Sequence, residues 1–476
     1  MVDAAAGGGA QRGPEAVADR LIGTPIAWRL IAAVLLLGGL VAGALIAASP
    51  AAVPIAIVGM LASVGLAIPI AIAGRRPPIV ILAGVAAAAP DSAAPTISVL
   101  VPARDEGAVI GRLIGDLAAQ DHRGTDGSPR FEVIVIDDRS VDGTGAVAGE
   151  AAERAGIAGA VRVIRRDGDN LADGKGAALT AAQPDACRGE AIVVLDADAR
   201  VAPGFLRTLA AYLASGAVAV TARRRTNGAT ASWLAAAQAV EQAQDGALQR
   251  GRWTAGGCSE LRGNGMTVRR NALAAVGGWR AEELTEDLDL SSRLAARLGV
   301  RVAWAIDAVV GEDPVRGWRA LWRQRLRWAE GSLRRVFEHG RQVVTSPLLS
   351  RRARLDFVAY AGQLAIAPFL AGAIGIAGLN GRPAASAILI AGYLGAAGLL
   401  AWVGLGREAV IDGVSLHLAE RARGAIRGSL FAFIWLAAIP GALVRLALRR
   451  GPLTFAKTSH GEALSAGPAF VERGGS

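Results

Sequence analysis

At 476 residues the chain is longer than one ordinary domain, and 52% hydrophobic residues with a mean hydropathy of +0.38 are too many for a soluble globule alone. The formal net charge of +10 first suggests nucleic acid, but the arginines cluster beside apolar segments, at 349–354 and 421–427, where they face anionic headgroups and set topology. Two cysteines, Cys187 and Cys258, exclude a disulfide framework and a cysteine metal site, and four scattered histidines show no ligand spacing.

Residues 1–28 are Ala- and Gly-rich and read as a loose tail. Two apolar runs follow, 29–48 and 51–73, divided by Ser49 and Pro50. Each is long enough to span a hydrocarbon core as a helix, so 29–73 reads as a transmembrane hairpin. A signal peptide is the plainer alternative, and the late start and the second run speak against it. Arg75 and Arg76 then mark the cytoplasmic end.

From Thr96 the pattern changes. ISVLVPA (97–103), FEVIVIDD (131–138), VRVIRR (161–166) and AIVVLDAD (191–198) are short apolar runs ending in polar residues. Helix-period segments, including 109–119 and 143–155, lie between them. The alternation predicts βαβ units and a mostly parallel sheet, an α/β domain over 96–312. Ligands of such sheets bind at the carboxyl ends of the strands, where Asp105, Asp137, Asp138, Asp196 and Asp198 fall.

The stretch 313–342 is rich in Trp and Arg. Trp318, Leu321, Trp322, Leu326, Leu333, Val336 and Phe337 recur near helical spacing with Arg between them, the signature of an amphipathic helix lying in a membrane interface. Apolar runs at 357–378, 386–405 and 429–448 read as membrane helices of a C-terminal region, 355–450, before a tail at 451–476. Arg407, Arg421, Arg423 and Arg427 want the loop before the last run inside, and Arg449 and Arg450 want the tail inside too. One full crossing cannot satisfy both. Pro440 within that run leaves a kinked or re-entrant helix open.

The sharpest chemical signal is Asp196-Ala197-Asp198 at the end of an apolar strand. Two carboxylates one residue apart can converge on Mg2+ or Mn2+, with diphosphate oxygens completing the shell, although a lone DxD also occurs by chance. In Thr285-Glu286-Asp287, Asp287 is the candidate base for an acceptor hydroxyl, with Glu286 beside it. A helix start, with Thr285 as N-cap and acids in the first turn, is the plainer reading, and both can hold. Gln324-Arg325-Leu326-Arg327-Trp328 offers Arg327 to diphosphate charge and Trp328 as a stacking surface. Simple interfacial anchoring, as at Trp318 and Trp322, competes with that reading. Asp137 and Asp138, followed by Arg139-Ser140 and Asp142-Gly143, place acceptors for a base and ribose at a strand end, and Pro102 to Glu106 form the opening loop of the same pocket. Asp173-Gly174-Lys175-Gly176 is a flexible loop whose Lys175 reaches for a diphosphate; a solvated turn is the alternative, and no Walker pattern is present.

Taken in order, VPARDE (101–106), DDRS (137–140), DGKG (173–176), DAD (196–198), TED (285–287) and QRLRW (324–328) resemble the family 2 glycosyltransferases over roughly 96–340. The resemblance implies a GT-A α/β domain flanked by transmembrane helices, and an inverting mechanism. It puts Glu106 and Asp138 near the uracil or ribose, Lys175 at the diphosphate, and Asp196 and Asp198 at the metal. Asp287 becomes the base, while Gln324, Arg327 and Trp328 close the donor and acceptor site. Asp105 stands where many members have Asn, a departure not expected to matter.

Within the family, GCSELRGNGMTVRRNALAAVGGW (257–279), QRLRWAEGSLRRVFEH (324–339) and RGSLFAFIWLAAIPGALVRLALRRGPLTFAKTSH (427–460) are similar to the monoglucosyldiacylglycerol synthase branch of cyanobacteria. That similarity implies a 1,2-diacylglycerol 3-beta-glucosyltransferase, moving glucose from UDP-glucose to diacylglycerol in a lipid bilayer, with the catalytic domain cytoplasmic. TED stands where that branch is expected to carry a TDD-like triplet, and the last Asp is kept. A processive polysaccharide synthase of the cellulose, chitin or poly-N-acetylglucosamine type is the alternative, since it also carries QxxRW. Five apolar runs, one of them doubtful, are few to enclose a polymer. A non-catalytic scaffold or nucleic-acid binder with a decayed transferase fold is a third reading, disfavoured because the motifs are all present. The residues do not separate glucose from galactose.

Overall fold

The computed structural model describes residues 24–49, 94–168 and 171–449, together with Pro54. The second run of the expected N-terminal hairpin, the tail beyond 450 and residues 1–23 lie outside the described residues.

The α/β domain holds β1 (Ile97–Ala103), β2 (Phe131–Asp138), β3 (Val161–Arg166), β4 (Ala191–Val194), β5 (Arg200–Val201), β6 (Ala219–Thr226), β7 (Met266–Arg269) and β8 (Ala303–Glu312). They form one sheet in the order β3-β2-β1-β4-β7-β6-β8-β5. Successive side chains of a strand face opposite ways, so continuous apolar runs such as β1, β2 and β4 fit a sheet covered on both sides. Ile97, Val99 and Val101 pack with α2 (Gly107–Ala118), α3 (Thr144–Arg154) and α5 (Phe205–Ala214). Leu100, Ile134, Ile192 and Val194 pack on the other face with α4 (Lys175–Leu179), α7 (Arg270–Ala275) and α8 (Glu286–Leu298).

The expected parallel order holds across β3-β2-β1-β4. Beyond it β7 runs antiparallel between β4 and β6, so the sheet is mixed rather than mostly parallel. Sequence pattern could not place β6, AVTARRRT, because three arginines interrupt its apolar run. One of them, Arg223, is buried and matched by Glu408 at 2.8 Å and Asp412 at 3.0 Å, acids nearly two hundred residues away.

The remaining helices are α1 (Ile26–Ala48), α6 (Trp233–Thr254), α9 (Trp318–Thr345), α10 (Arg351–Leu379), α11 (Pro383–Ile411), α12 (Leu418–Phe431) and α13 (Phe433–Leu448). Among the described residues four segments are long and apolar enough to cross a membrane: Ile26–Leu45, Arg351–Leu379, Pro383–Ile411 and Leu418–Leu448. Helix α1 lies along α10 through Gly39 and Gly43, four residues apart. A β-carbon at Gly43 would stand 2.6 Å from the Ala373 nitrogen, so the close approach requires glycine there.

Helix α9 packs between α8 and α13. Trp318 is 58% exposed and Trp322 38%, but Arg325, Arg334 and Arg335 are buried. They pair with Glu241, Glu330 and Glu260 instead of facing headgroups.

The flanks of the last apolar segment are tied to the α/β domain on one side and to α9 on the other. Just before α12, Glu408 and Asp412 pair with Arg223, and Arg421 stacks on Trp402 at 4.4 Å. At the far end Arg449 pairs with Glu330 of α9. Between them the helix breaks at Ala432, whose carbonyl accepts a hydrogen bond from the Tyr393 hydroxyl at 2.7 Å, and the Trp435 indole donates to Glu241 at 2.6 Å. The two flanks of the segment are thus both anchored, one to β6 and the other to α9. This anchoring is compatible with basic residues on both flanks.

Candidate active site

Strand β4 stops at Val194, and the chain leaves the sheet as Asp196-Ala197-Asp198. Asp198 is 6% exposed and close to Asp196, Glu312 and Asp313. Burial first, then these like charges, push its carboxyl up to about 8, and Asp313 N–H donates to its Oδ2 at 3.3 Å. Glu312 is raised by burial and by Asp196, against the pull of Arg224.

On the other side of Asp196, Lys175 Nζ lies 2.6 Å from its Oδ1 and donates to the Gly263 carbonyl at 2.8 Å. Glu286 Oε1 is 3.5 Å from the same ammonium. Burial alone would lower Lys175, but Asp196 and Glu286 outweigh it and keep the ammonium charged. Burial raises Glu286, Lys175 offsets part of that, and Asp287 adds to it. The Asp196 N–H donates to Asn264 Oδ1 at 3.1 Å.

These groups converge over Gly263. A β-carbon there would stand 3.4 Å from Lys175 Nζ and from Glu286 Oε1, and 3.7 Å from Asp287 Oδ2. Asp287 is half-buried in the first turn of α8, and its Oδ1 accepts from the Leu288 N–H at 2.9 Å. Thr285 stands at the N-cap position with Glu286, Asp287 and Asp289 after it, as the plainer reading expected. Its side chain makes no capping hydrogen bond, however, and packs against Gly331 of α9. The triplet is held by the neighbouring helix, not by its own cap.

The QRLRW motif lies on α9 next to that triplet. Arg327 donates to the Leu284 carbonyl at 3.4 Å, and the Arg325 guanidinium stacks on the Trp328 ring at 4.3 Å. Gln324 accepts from Arg325, which also pairs with Glu241.

A second cluster sits at the ends of β1 and β2. Asp137 accepts from the Ser140 N–H at 3.0 Å and from Arg165 at 3.0 Å, while Asp138 lies between Arg139 at 3.0 Å and Arg166 at 2.8 Å. Pro102 belongs to β1, and Glu106 stands at the N-cap of α2. The two loops are laced together: Asp105 N–H donates to Ser140 Oγ at 2.9 Å, Val141 N–H to Asp105 Oδ1 at 2.8 Å, and Glu106 N–H to Thr144 Oγ1 at 2.8 Å. Asp105 has φ 50°, a left-handed backbone that Asp and Asn tolerate best among residues with a side chain. That accounts for Asp standing in an Asn position. Asp173 ties the clusters together, 2.7 Å from Arg139 and 3.1 Å from Arg104, two residues before Lys175.

Sequence reasoning did not single out Gly263, Asn264, Glu312 and Asp313. Glycines on both sides of Asn264, in RGNGM, were the available signal of a close backbone approach. Glu312 and Asp313 gave none. Among the described residues no three His, Cys, Asp or Glu side chains are disposed to hold a metal by themselves. The buried Asp198, crowded by three carboxylates, still fits a divalent cation shared with a diphosphate, because positive charge there relieves the repulsion.

Comparison with known proteins follows the same outline. The profile of the glycosyltransferase-like family 2 matches residues 94–331. A Synechocystis protein named beta-monoglucosyldiacylglycerol synthase is 32% identical over 377 residues, 78% of this chain and 76% of its own. A Nostoc protein of the same name is 35% identical over 263 residues, 54% of this chain and 53% of its own. Among solved structures, a mannosyltransferase from Pyrobaculum calidifontis, in complex with GDP-mannose and Mn2+, has a TM-score of 0.51 at 19% identity. The match covers 83% of this chain and 99% of that one, and it bears on the fold alone.

Proposed function

This chain belongs to the glycosyltransferase-like family 2 and its α/β domain has the GT-A fold, and from that premise we propose that it transfers glucose from UDP-glucose to the free hydroxyl of 1,2-diacylglycerol. The product is β-monoglucosyldiacylglycerol. The observation that carries this reading is the Synechocystis relative, whose 377 aligned residues extend beyond the match at 94–331 into the apolar segments. A polymer synthase need share only the catalytic motifs.

In this reading the nucleoside lies against Pro102, Glu106, Asp137 and Asp138, and Lys175 turns from Asp196 to the diphosphate. Asp196 and Asp198 would hold Mg2+ or Mn2+, which supplies Lewis-acid stabilisation of the departing diphosphate. Asp287 takes the proton of the diacylglycerol hydroxyl as that oxygen attacks the anomeric carbon. The bond from this carbon to the UDP oxygen breaks, UDP leaves, and the configuration inverts from α to β. Glu286 keeps Lys175 in place beside the base. Gln324 and Arg327 close the site, and Trp328 offers a flat surface for the sugar or the glycerol headgroup. Diacylglycerol stays in the bilayer, presented at the interface beside α9, and the catalytic domain faces the cytoplasm, where the water-soluble donor is.

The test is a membrane assay with radiolabelled UDP-glucose and diacylglycerol, run beside UDP-galactose and an Asp287→Asn variant. One labelled glycolipid from UDP-glucose alone is expected, reduced about a hundredfold or more in the variant, because a positioned base is worth that much. Label in solvent-insoluble polymer would move the chain to the polysaccharide synthases.

A further inference from the structure

Away from the groups assigned to chemistry, six charged side chains meet where α6, α9 and the first turns of α10 join. Arg252, Arg262 and Arg335 face Asp245, Glu260 and Asp356, three positive charges against three negative, in a largely buried cluster. Asp356 lies 3.0 Å from Arg252, and Glu260 lies 2.7 Å from Arg335 and 3.3 Å from Arg262. Asp245 lies 2.6 Å from Arg262. The Tyr360 ring stacks 3.8 Å from the Arg252 guanidinium, and its hydroxyl accepts from Arg262 at 3.3 Å. Such a cluster is costly to break, because removing one partner leaves a buried charge uncompensated.

The cluster grips one stretch of backbone. Cys258 N–H donates to Asp356 at 2.8 Å, and the Cys258 carbonyl accepts from Arg252 at 2.6 Å. A β-carbon at Gly257 would stand 2.6 Å from the Asp356 carboxyl carbon, so the carboxylate is pressed against the chain. Glu260 and Arg262 belong to the same stretch. The next two residues are Gly263, whose carbonyl holds Lys175, and Asn264, which holds the Asp196 N–H.

We propose that Asp356 and Tyr360, on the first apolar helix after the α/β domain, are positioning residues for donor capture. Through Arg252 and Arg262 they set the 262–264 backbone, and through it the Lys175 and Asp196 that meet a nucleoside diphosphate. The inference rests on the donor reading above. The apolar helix is then part of the donor site without touching the donor.

The experiment uses the full chain in lipid nanodiscs, with Tyr360→Phe, Asp356→Asn and Asp356→Glu. Tyr360→Phe keeps the ring stack and removes only the hydroxyl. Amide hydrogen exchange is read without ligand, and kcat and KM are read with UDP-glucose and diacylglycerol. Tyr360→Phe and Asp356→Asn are expected to speed exchange at 261–265 and 173–178 about tenfold and to raise the donor KM about tenfold, the scale of one lost hydrogen bond to a charged group. The acceptor KM stays within about twofold, and Asp356→Glu recovers part of the loss. Unchanged exchange in both segments with unchanged donor KM, whatever happens to Tm, overturns the proposal and leaves the cluster a structural support. Exchange needs no donor, so faster exchange in a chain that does not turn over UDP-glucose keeps the positioning role and sinks the donor reading instead.

Discussion

Gly263 is the residue on which the site closes. Its missing side chain leaves the space bounded by Lys175, Glu286 and Asp287, and its carbonyl fixes Lys175. Gly263→Ala puts a methyl 3.4 Å from two of these groups, in contact with their ends and inside the space that a reacting group would use. Transfer is expected to fall about a hundredfold, since small misplacements of reacting groups carry costs of that order, while Tm changes little. A variant with more than half of wild-type activity would show that nothing reactive occupies this space. Asp196, Asp198, Asp287 and Lys175 were legible in the sequence because each belongs to a short motif whose chemistry is carried by residue type. Glu312 and Asp313 were not, because a strand end acquires an acidic neighbourhood only when other strands are brought beside it.

Helices α8 and α9 meet through Asp289, which binds Arg293 at 2.7 Å and Arg280 at 3.1 Å, with His339 Nε2 at 2.8 Å. Burial alone would raise this carboxyl, but His339, Arg293 and Arg280 outweigh it and hold it at about 2, below the ordinary 3.8. A carboxylate lowered on folding stabilises the fold above its ordinary value, and that contribution disappears as pH falls through the folded one. Asp289 is therefore expected to contribute about 2 kcal/mol above pH 4 and to lose it between about pH 4 and pH 2. Scanning calorimetry of the wild type and Asp289→Asn should show a Tm gap at pH 5 that narrows toward pH 2.5. A gap independent of pH would mean the carboxylate charge is not what holds the helices. At this scale the strands β1 to β4 were legible, since buried parallel strands read as continuous apolar runs. Strand β6 and the place of α9 were not. Arginine is read from sequence as solvent- or headgroup-facing, and here Arg223, Arg325 and Arg335 are buried with acids from distant segments.

For the whole molecule, the anchoring of the flanks of Leu418–Leu448 to β6 and α9 sets an expectation for which loops share a side. Val414 and Leu448 are exposed at those ends, and Leu379 is exposed at the far turn between α10 and α11. Introduced one at a time, Val414→Cys and Leu448→Cys are expected to react with a membrane-impermeant maleimide from one side, and Leu379→Cys from the other. The native Cys187 and Cys258 are buried and stay silent. Labelling of Leu448→Cys from the Leu379 side would make the last segment a true crossing.

The sequence by itself determined the α/β class, the order of the motifs and the apolar helices around them, because these depend on local periodicity and residue type. It also stated the topological conflict at Arg427 and Arg449 without a solution. Only the tertiary structure decided the anchoring of both flanks of the last apolar segment, the mixed sheet, and the joining of the 257–264 segment to an apolar helix. Each depends on pairing between residues far apart in the chain, such as Arg252 with Asp356 and Arg449 with Glu330. A single sequence carries no record of which distant charge will neutralise which.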